Sequence, residues 1–372
     1  MKVGILTFFM NPNYGAMLQA YALCSALQAR GHNVEFIDYP FGNTVCLPLR
    51  RCFWTRHRSV LQTRLQKWID FKIVSFALEL PRSKRINNDA ELEEIASGYD
   101  AIVVGSDQVW NPIGVARQVP EVVFLGFAPE KCRLIAYAPS VCADVWPEDC
   151  NRQQVARLLT RFAAISVRDG SGAIRSLMGK CPVTIVDPTL LHDCDFYRRI
   201  DGLSKQANQH YIFRFVISDW SDGVQEDIAV KRMGKELGLS KIVSGRKAPP
   251  WWAMLIGLAL RMPISAKVSV PEWLSLIANA DLVITNSFHC VVFSIVFHRP
   301  FVCVAISGIY SGMNERLKTL LYEVGLENRI VGNGIRTDFE KLARSEIDWT
   351  IVDRRLEILK DKAQEFLSKA GL

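Results

Sequence analysis

Short apolar segments, each ending in polar residues and followed by a helical period, recur along this 372-residue chain. Continuous apolar runs of this kind are typical of strands that are buried on both faces of a parallel sheet. Strands are predicted at residues 3–9, 34–38, 101–104, 134–137, 164–167 and 183–186, and again at 211–217, 242–244, 282–285 and 301–304. Helices are predicted at residues 14–30, 224–237, 271–280, 287–297 and 313–324. The alternation predicts an α/β fold with right-handed crossovers.

The strand pattern restarts at residue 211, and a chain of this length is expected to form about two domains. We predict two doubly wound, Rossmann-like domains that face a cleft, joined by a linker near residues 190–208. The N-terminal domain is assigned to residues 1–195, with a basic helical insertion at about 45–90; the C-terminal domain is assigned to 196–352, followed by a C-terminal helix at 353–372. Ligands of such sheets bind beyond the carboxyl ends of the strands, so the polar residues there should line the cleft.

Composition and missing motifs exclude several classes of protein. The net charge of +7 is local, because residues 50–85 hold ten basic and two acidic residues and the rest of the chain sums to −1. Ten cysteines without a CxxC spacing indicate reduced thiols in a cytosolic protein, and no apolar run reaches membrane-spanning length. The first strand lacks a GxGxxG turn, and Walker, HExxH and GxSxG motifs are also missing, which argues against standard dinucleotide, P-loop, zinc-protease and serine-hydrolase sites.

A polar cluster follows the strand predicted at residues 282–285. Ser287 is a good helix N-cap type, so His289 should fall in the first helical turn, close to Asn286. Free backbone N–H groups and the helix dipole at this position favour an anion over a charged imidazole. A neutral histidine that meets a phosphate or carboxylate there can serve in acid–base catalysis. The alternative is a polar cap on a buried βα unit.

Five motifs of this chain, in this order, resemble those of the polysaccharide pyruvyl transferase family. They are NYGAMLQAYAL (13–23), GSDQVWN (105–111), ISVRDGS (165–171), VDPTLL (186–191) and TNSFH (285–289), the last followed by HRPF (298–301). Cys290 departs from the family, in which glycine often follows the histidine. The resemblance implies a fold like that of GT-B glycosyltransferases. It also implies transfer of pyruvate from phosphoenolpyruvate to a sugar, as a cyclic ketal, during surface polysaccharide synthesis.

The implied donor carries a carboxylate, a phosphate and an enol double bond. Ketal formation protonates C3 and joins two sugar hydroxyls to C2 with loss of phosphate, so it requires cationic clamps, a general acid and a base. His289 is the candidate acid, Asp107 the candidate base and Arg168 the first clamp, because a guanidinium binds an oxyanion with two hydrogen bonds. The structural alternatives are Asp107 as a cap and Arg168 as a surface arginine that pairs with Asp169.

Further residues are predicted to bind substrate, either at helix starts or at strand ends. They are Asn13, Tyr14, Gly15, Ser106, Gln108, Arg214, Asn286, Ser287 and Arg316. Tyr14 can equally serve in packing, Arg214 can be an edge-strand arginine, and Arg316 can be a solvated helix charge. No metal-ligand cluster and no cofactor are expected, since phosphoenolpyruvate is itself the donor substrate.

Two apolar segments bear on the acceptor. Residues 61–80 place apolar side chains on one helical stripe that follows Arg50, Arg51, Arg56 and Arg58, and residues 251–260 are wholly apolar between basic residues. Both segments suit core helices with a basic rim, and both suit helices on an anionic membrane surface. The second interpretation places a cytoplasmic enzyme peripherally on the inner face of the cytoplasmic membrane. Its sugar acceptor would then be carried on a polyprenyl pyrophosphate, and no nucleic-acid partner is expected.

Two other functions remain open on the residues alone. One is a nucleotide-sugar glycosyltransferase of the same architecture, which binding of UDP- or CMP-sugars would favour. The other is a non-catalytic binding protein built on the basic segment, in which Arg168 and His289 would be freely replaceable.

Overall fold

The computed structural model describes residues 1–41, 58–200, 210–216, 231, 234–235, 237–239, 241–247, 249–260, 266–306, 308–332 and 338–372. Some sequence predictions therefore fall outside the described residues. These are the basic residues Arg50, Arg51 and Arg56, the second part of the predicted linker, and most of the helix predicted at 224–237.

The first half of the chain forms a parallel sheet in the order β2-β1-β3-β4-β5-β6. Its strands are β1 (Lys2–Leu6), β2 (Asn33–Phe36), β3 (Ala101–Val104), β4 (Arg133–Ala136), β5 (Ala164–Val167) and β6 (Val183–Thr184). The strand order reverses between β1 and β3, which is the position where doubly wound sheets bind their ligands.

The second half forms another parallel sheet, in the order β13-β12-β11-β7-β8. Its strands are β7 (Ile212–Phe215), β8 (Ile242–Ser244), β11 (Leu282–Thr285), β12 (Phe301–Val304) and β13 (Ile330–Val331). Two short strands, β9 (Arg246–Lys247) and β10 (Ala266–Lys267), form a separate antiparallel pair. Here the strand order reverses between β7 and β11, so each sheet has its own candidate binding edge.

The helices that connect these strands are short, except for the first and the last. The N-terminal half contains α1 (Tyr14–Ala29), α2 (Arg58–Ile69), α3 (Phe71–Leu78), α4 (Asp89–Ala96), α5 (Val115–Gln118), α6 (Pro120–Val123), α7 (Arg152–Leu159), α8 (Ser171–Met178) and α9 (Cys194–Arg198). The C-terminal half contains α10 (Trp251–Leu260), α11 (Val270–Ala278), α12 (Phe288–Val296), α13 (Glu315–Val324), α14 (Asp338–Arg344) and α15 (Trp349–Lys369).

Side-chain caps explain two differences from the sequence prediction. The linker predicted near 190–208 contains a short helix, α9, because the Asp193 carboxylate accepts the N–H of Phe196 at 2.8 Å and caps the helix start. The C-terminal helix begins before residue 353, because the Asp348 carboxylate accepts the N–H groups of Thr350 and Ile351 at 3.0 and 3.3 Å. Buried strands carry their signal in continuous apolar runs, and their predicted positions agree well with the structure.

The last helix returns from the C-terminal half to the N-terminal half. The Arg30 guanidinium, just after α1, donates to the carbonyl oxygens of Gln364 and Leu372 at 2.9 and 3.0 Å. The ring of Phe366 lies edge-on to that of Tyr137, which follows β4. The C-terminal helix therefore joins the two halves through hydrogen bonds and a ring contact.

The described side chains of the apolar stripe predicted at residues 61–80 belong to the core, while the side chain of Leu61 lies outside the described part. Leu65, Ile69, Ile73 and Ala77 are all buried. The membrane interpretation is therefore wrong for these side chains, which pack within the protein. The other apolar segment, α10, packs on α2 with only one of its faces.

Candidate functional site

Asp187 follows β6, and its carboxylate is the centre of a buried polar cluster. Oδ2 accepts hydrogen bonds from Oγ of Ser106 at 2.9 Å and from the guanidinium of Arg168, while Oδ1 accepts from the N–H and hydroxyl of Thr189 at 3.0 and 2.6 Å. Nε2 of His289 lies 3.4 Å from Oδ2. Burial raises the pKa of the Asp187 carboxyl, but His289, Arg168 and Thr189 outweigh burial and hold that pKa well below its usual range. The carboxylate is therefore ionised at neutral pH.

Arg168, directly after β5, is buried and lies over the ring of Phe288, with Cζ 4.4 Å from the ring centroid. Its Nε is 3.6 Å from Oδ2 of Asp169. Burial lowers the pKa of the guanidinium, but the carboxylates of Asp187, Asp169 and Asp107 raise it more. Nε and Nη2 find no hydrogen-bond acceptor among the described residues. The interpretation of Arg168 as a surface arginine is wrong, because the side chain is enclosed.

Arg316, in the first turn of α13, lies near the same ring of Phe288, with Cζ 5.6 Å from its centroid. The side chain is buried, so the alternative of a solvated helix charge is wrong. In the described part of the chain, no carboxylate pairs with it and its Nε has no acceptor. Burial and the neighbouring Arg168 both lower the pKa of the Arg316 guanidinium. We call Arg168 and Arg316 the arginine pair; its unpaired donors favour an anion.

His289 lies in the first turn of α12, as predicted, and reaches from the C-terminal half into the N-terminal half. A Cβ atom placed on Gly15 would come within 1.9 Å of Nδ1, so the imidazole lies directly against the first turn of α1. Nε2, on the other side of the ring, is buried, with the Asp187 carboxylate as its neighbour. The histidine therefore links two helix starts and an ionised carboxylate, which a simple polar cap does not require.

A cavity of about 180 Å³ opens beside these helix starts, where β7 and β11 end. Residues of both halves line it: Pro12, Asn13, Tyr14, Gly15, Phe215, Lys267, Trp273 and Ser287. Ser287 is the N-cap of α12, and its side chain makes no capping hydrogen bond. The Lys267 ammonium donates to the carbonyl of Pro12 and lies 3.9 Å from a carboxylate oxygen of Asp70. The cavity thus combines a cation with the positive ends of two helices.

Asp107, the candidate base, has a left-handed backbone with φ of 76°, which is uncommon for a residue other than glycine. Its carboxylate accepts the N–H of Gln108 at 2.9 Å, and its carbonyl accepts the N–H of Ser140 at 2.7 Å. The negative charge of this carboxylate acts to raise the pKa of both guanidiniums of the arginine pair. Asp107 therefore caps a turn and also faces the buried polar cluster around Asp187. Its neighbour Gln108 is half-buried, and the Gln108 side chain accepts a hydrogen bond from Asn111 at 3.3 Å.

The first two residues of the NYG motif have structural roles. The Asn13 side chain caps α1 by accepting the N–H groups of Gly15 and Ala16 at 3.0 and 3.4 Å. Tyr14 stacks on Trp273 at 4.7 Å, and its hydroxyl donates to the carbonyl of Val268 at 2.9 Å. Tyr14 thereby fixes the N-terminal half against the C-terminal half, which supports its packing role, although both residues also line the cavity.

The two remaining predicted residues lie on the C-terminal side. Arg214 is half-buried in β7, one residue before the cavity-lining Phe215. Asn286 is fully buried between β11 and α12, directly before Ser287. Their positions are compatible with roles in shaping the cavity from the strand ends.

Sequence reasoning assigned no specific role to three residues that organise this site: Asp187, Phe288 and Lys267. Asp187 carried a signal, because VDPT places a polar residue directly after an apolar strand and belongs to the family motifs. Phe288 carried none, since an apolar residue in a helix is usually core. Among the residues that the structure describes, no group of histidine, cysteine or carboxylate side chains is arranged to hold a metal ion.

Solved structures with a similar fold include two that hold UDP or UDP-GlcNAc. UDP-GlcNAc 2-epimerase from Neisseria meningitidis bound to UDP-GlcNAc is similar with a TM-score of 0.50 and 12% identity, over 99% of this chain and 100% of that chain. MnaA of S. aureus in complex with UDP is similar with a TM-score of 0.50 and 14% identity, over 96% of this chain and 91% of that chain. At this identity the likeness shows the fold alone, which is α/β, Rossmann-like and GT-B-like.

Sequence comparison gives the family. Among curated proteins, none matches the chain significantly. The family model described as polysaccharide pyruvyl transferase matches residues 13–308, which is most of the chain and includes all the motifs that supply the Asp187 cluster. The chain therefore belongs to the polysaccharide pyruvyl transferase family.

Proposed function

We propose that this enzyme moves pyruvate from phosphoenolpyruvate to a sugar, as a cyclic ketal, during the synthesis of a surface polysaccharide. The observation that supports this most strongly is the position of His289. Its imidazole lies between an ionised carboxylate, Asp187, and the positive end of α1, with the arginine pair nearby. The imidazole of His289, which can accept or donate a proton, therefore lies close to several groups that favour an anion.

Phosphoenolpyruvate carries two oxyanions, and two cationic regions flank His289. One is the arginine pair, whose buried donors lack acceptors in the described part of the chain. The other is the cavity with Lys267 and the starts of α1 and α12. In this proposal the donor lies along the imidazole edge, with one oxyanion at each region and its enol carbons beside the ring. The volume of about 180 Å³ equals that of about six waters in the liquid, which is enough for one oxyanion and part of a sugar ring.

The proposed reaction assigns a proton transfer to each side of the ketal carbon. His289 donates a proton to C3, which makes the methyl group, while a sugar hydroxyl adds to C2 and gives up its proton to Asp107. A second sugar hydroxyl then replaces the phosphate at C2. The proton of this second hydroxyl passes to His289, and Asp107 passes its proton to the released phosphate, so both side chains return to their starting states and atoms and charge balance. Asp187 keeps the imidazole oriented.

The acceptor is proposed to be a sugar linked to polyprenyl pyrophosphate, presented at the inner face of the cytoplasmic membrane. Eight cysteines in the described residues are free thiols, which suits a reducing compartment. A lipid-linked acceptor requires that the enzyme approach a bilayer surface, and the exposed apolar face of α10 is suited to this.

A phosphate-release assay tests the proposal. The purified enzyme is incubated with phosphoenolpyruvate and with a free sugar, a UDP-sugar or a polyprenyl-pyrophosphate-linked sugar, and the acceptor is analysed by mass spectrometry for the ketal. We expect phosphate release that depends on an acceptor and is greatest with the lipid-linked sugar. Consumption of a UDP-sugar as donor, without use of phosphoenolpyruvate, would instead assign a glycosyltransferase.

A further inference from the structure

Helix α10 (Trp251–Leu260) consists of apolar residues and glycine and packs through only one of its faces. Ala253 is fully buried, and Trp252 and Ile256 join it against Leu65 and Ile69 of α2. The indole of Trp252 lies edge-on to that of Trp68, with their centroids 4.6 Å apart. This face holds the helix to the body of the protein and sets the direction of the opposite face.

The opposite face of α10 exposes large apolar side chains to solvent. Trp251, Met254, Leu255 and Leu258 are 73%, 55%, 57% and 78% exposed. Their spacing of three, four and seven residues places them on a single stripe of the helix. Isolated exposed apolar residues are common on protein surfaces, whereas a contiguous stripe marks an interaction site. We call these four residues the α10 stripe.

The sequence around the stripe is basic. Helix α2, on which α10 packs, contains Arg58, Arg64 and Lys67 and no acidic residue. Arg246 and Lys247 precede α10, and Arg261 follows it directly. The segment 50–85, which includes α2, carries the whole positive excess of the chain. An apolar stripe with basic flanks is the pattern of helices that lie in a membrane interface.

We propose that the α10 stripe inserts into the interface of an anionic bilayer, with the helix parallel to the membrane plane. Ten residues form a helix of about 15 Å, too short to cross a bilayer. None of the helices in the described residues is long and apolar enough to span one. The tryptophan suits the level of the headgroups, the methionine and leucines suit the upper acyl chains, and the arginines and lysines suit anionic headgroups.

Charge favours a bilayer over a second copy of this chain. A two-fold contact through the stripe would bring two copies of α2, whose charged residues are all basic, towards each other, and like charges would repel. An anionic membrane has the opposite sign. The inference deepens the proposed function, because it names the surface by which the enzyme would meet a lipid-linked acceptor, but vesicle binding itself requires neither phosphoenolpyruvate nor a sugar.

Co-sedimentation with vesicles tests this surface. The probes are phosphatidylcholine vesicles with and without phosphatidylglycerol, and the variant replaces Trp251, Leu255 and Leu258 by serine. The matched control replaces Ile113, Tyr322 and Ile358 by serine, since these are also large, exposed apolar residues but lie elsewhere on the surface. Circular dichroism and phosphate release with a soluble sugar acceptor show whether each variant is folded and retains its basal activity.

We expect the wild type and the control to bind anionic vesicles on the order of tenfold more tightly than neutral ones, and to lose this preference at about 1 M salt. The stripe variant should bind anionic vesicles at least about tenfold more weakly while it releases phosphate normally. Failure of the wild type to bind anionic vesicles at low salt would overturn the proposal. So would equal binding by the stripe variant, or a wild-type dimer that the stripe variant abolishes. Vesicle binding and phosphate release are measured separately, so none of these outcomes would count against the proposed transferase activity.

Discussion

A Cβ atom on Gly15 would lie 1.9 Å from Nδ1 of His289 and 2.4 Å from its Cγ. Gly15 belongs to the first turn of α1 in the N-terminal half, and His289 to the first turn of α12 in the C-terminal half. The two helix starts therefore touch at a point that has no space for a side chain. This contact fixes the imidazole relative to Asp187 and the arginine pair.

The contact predicts that Gly15→Ala is severe although alanine favours helices. The added methyl must push His289 away, and a displacement of about 1 Å in a catalytic group can lower the rate about 100-fold. Steady-state kinetics should show this loss in kcat. Gly98→Ala is the matched control, because its Cβ would meet only the carbonyl of Ile95 at 3.4 Å. Wild-type kcat in Gly15→Ala would mean that the position of the imidazole is not critical.

Asp187→Asn should destabilise the protein strongly. The substitution keeps the shape but leaves Arg168 without its main carboxylate partner in a buried site, and breaking a buried ion pair costs about 3–5 kcal/mol. Chemical denaturation measures the change in the free energy of unfolding. Asp149→Asn is the control, because Asp149 pairs with Arg117 on the surface, where such pairs contribute about 0–1 kcal/mol. Equal changes in both variants would contradict the central place of Asp187.

The contribution of Asp187 to stability should depend on pH in a defined direction. The pKa of its carboxyl is lower in the folded than in the unfolded protein, so folding favours the ionised form. The contribution is fully present above the unfolded value of about 3.9 and is lost as the pH falls below it. The difference in unfolding free energy between the wild type and Asp187→Asn should therefore shrink below about pH 4. A constant difference down to the acid limit of the measurement would contradict the ionised state of Asp187.

Replacing each arginine of the pair by lysine should weaken donor binding. Lysine keeps the charge but loses the planar fork, so Arg168→Lys and Arg316→Lys should each raise the KM for phosphoenolpyruvate about tenfold or more. Arg117→Lys provides a control at an exposed arginine outside the site. Thermal stability of Arg316→Lys should change little, because in the described residues this side chain has no carboxylate partner. An unchanged KM in both variants would remove the arginine pair from donor binding.

The strands were predictable from sequence because buried parallel strands form continuous apolar runs. The runs at 101–104, 164–167, 282–285 and 301–304 coincide with β3, β5, β11 and β12. Arg168 directly follows such a run, and His289 lies in the first turn of the helix that follows another, so local sequence could name both as candidates. Local sequence was sufficient where the signal itself was local.

The rest of the site depends on contacts between distant parts of the chain. Asp187 meets Ser106, Arg168 and His289, which follow three other strands, and their separate motifs predict a shared cleft but not these particular contacts. As an apolar residue in a helix, Phe288 would be predicted to lie in the core, although its ring contacts the guanidiniums of both Arg168 and Arg316. Helix α10 is apolar all round, so periodicity does not tell which face is buried.

The kcat of His289→Ala, measured by phosphate release at saturating phosphoenolpyruvate and acceptor, tests the central claim most directly. His298→Asn is the control, because His298 lies on the surface just after the same helix and asparagine tolerates its positive φ. We expect a folded His289→Ala protein to lose at least about 100-fold in kcat, the usual scale for a general acid, while the control keeps wild-type turnover. Near wild-type turnover in folded His289→Ala would contradict the account.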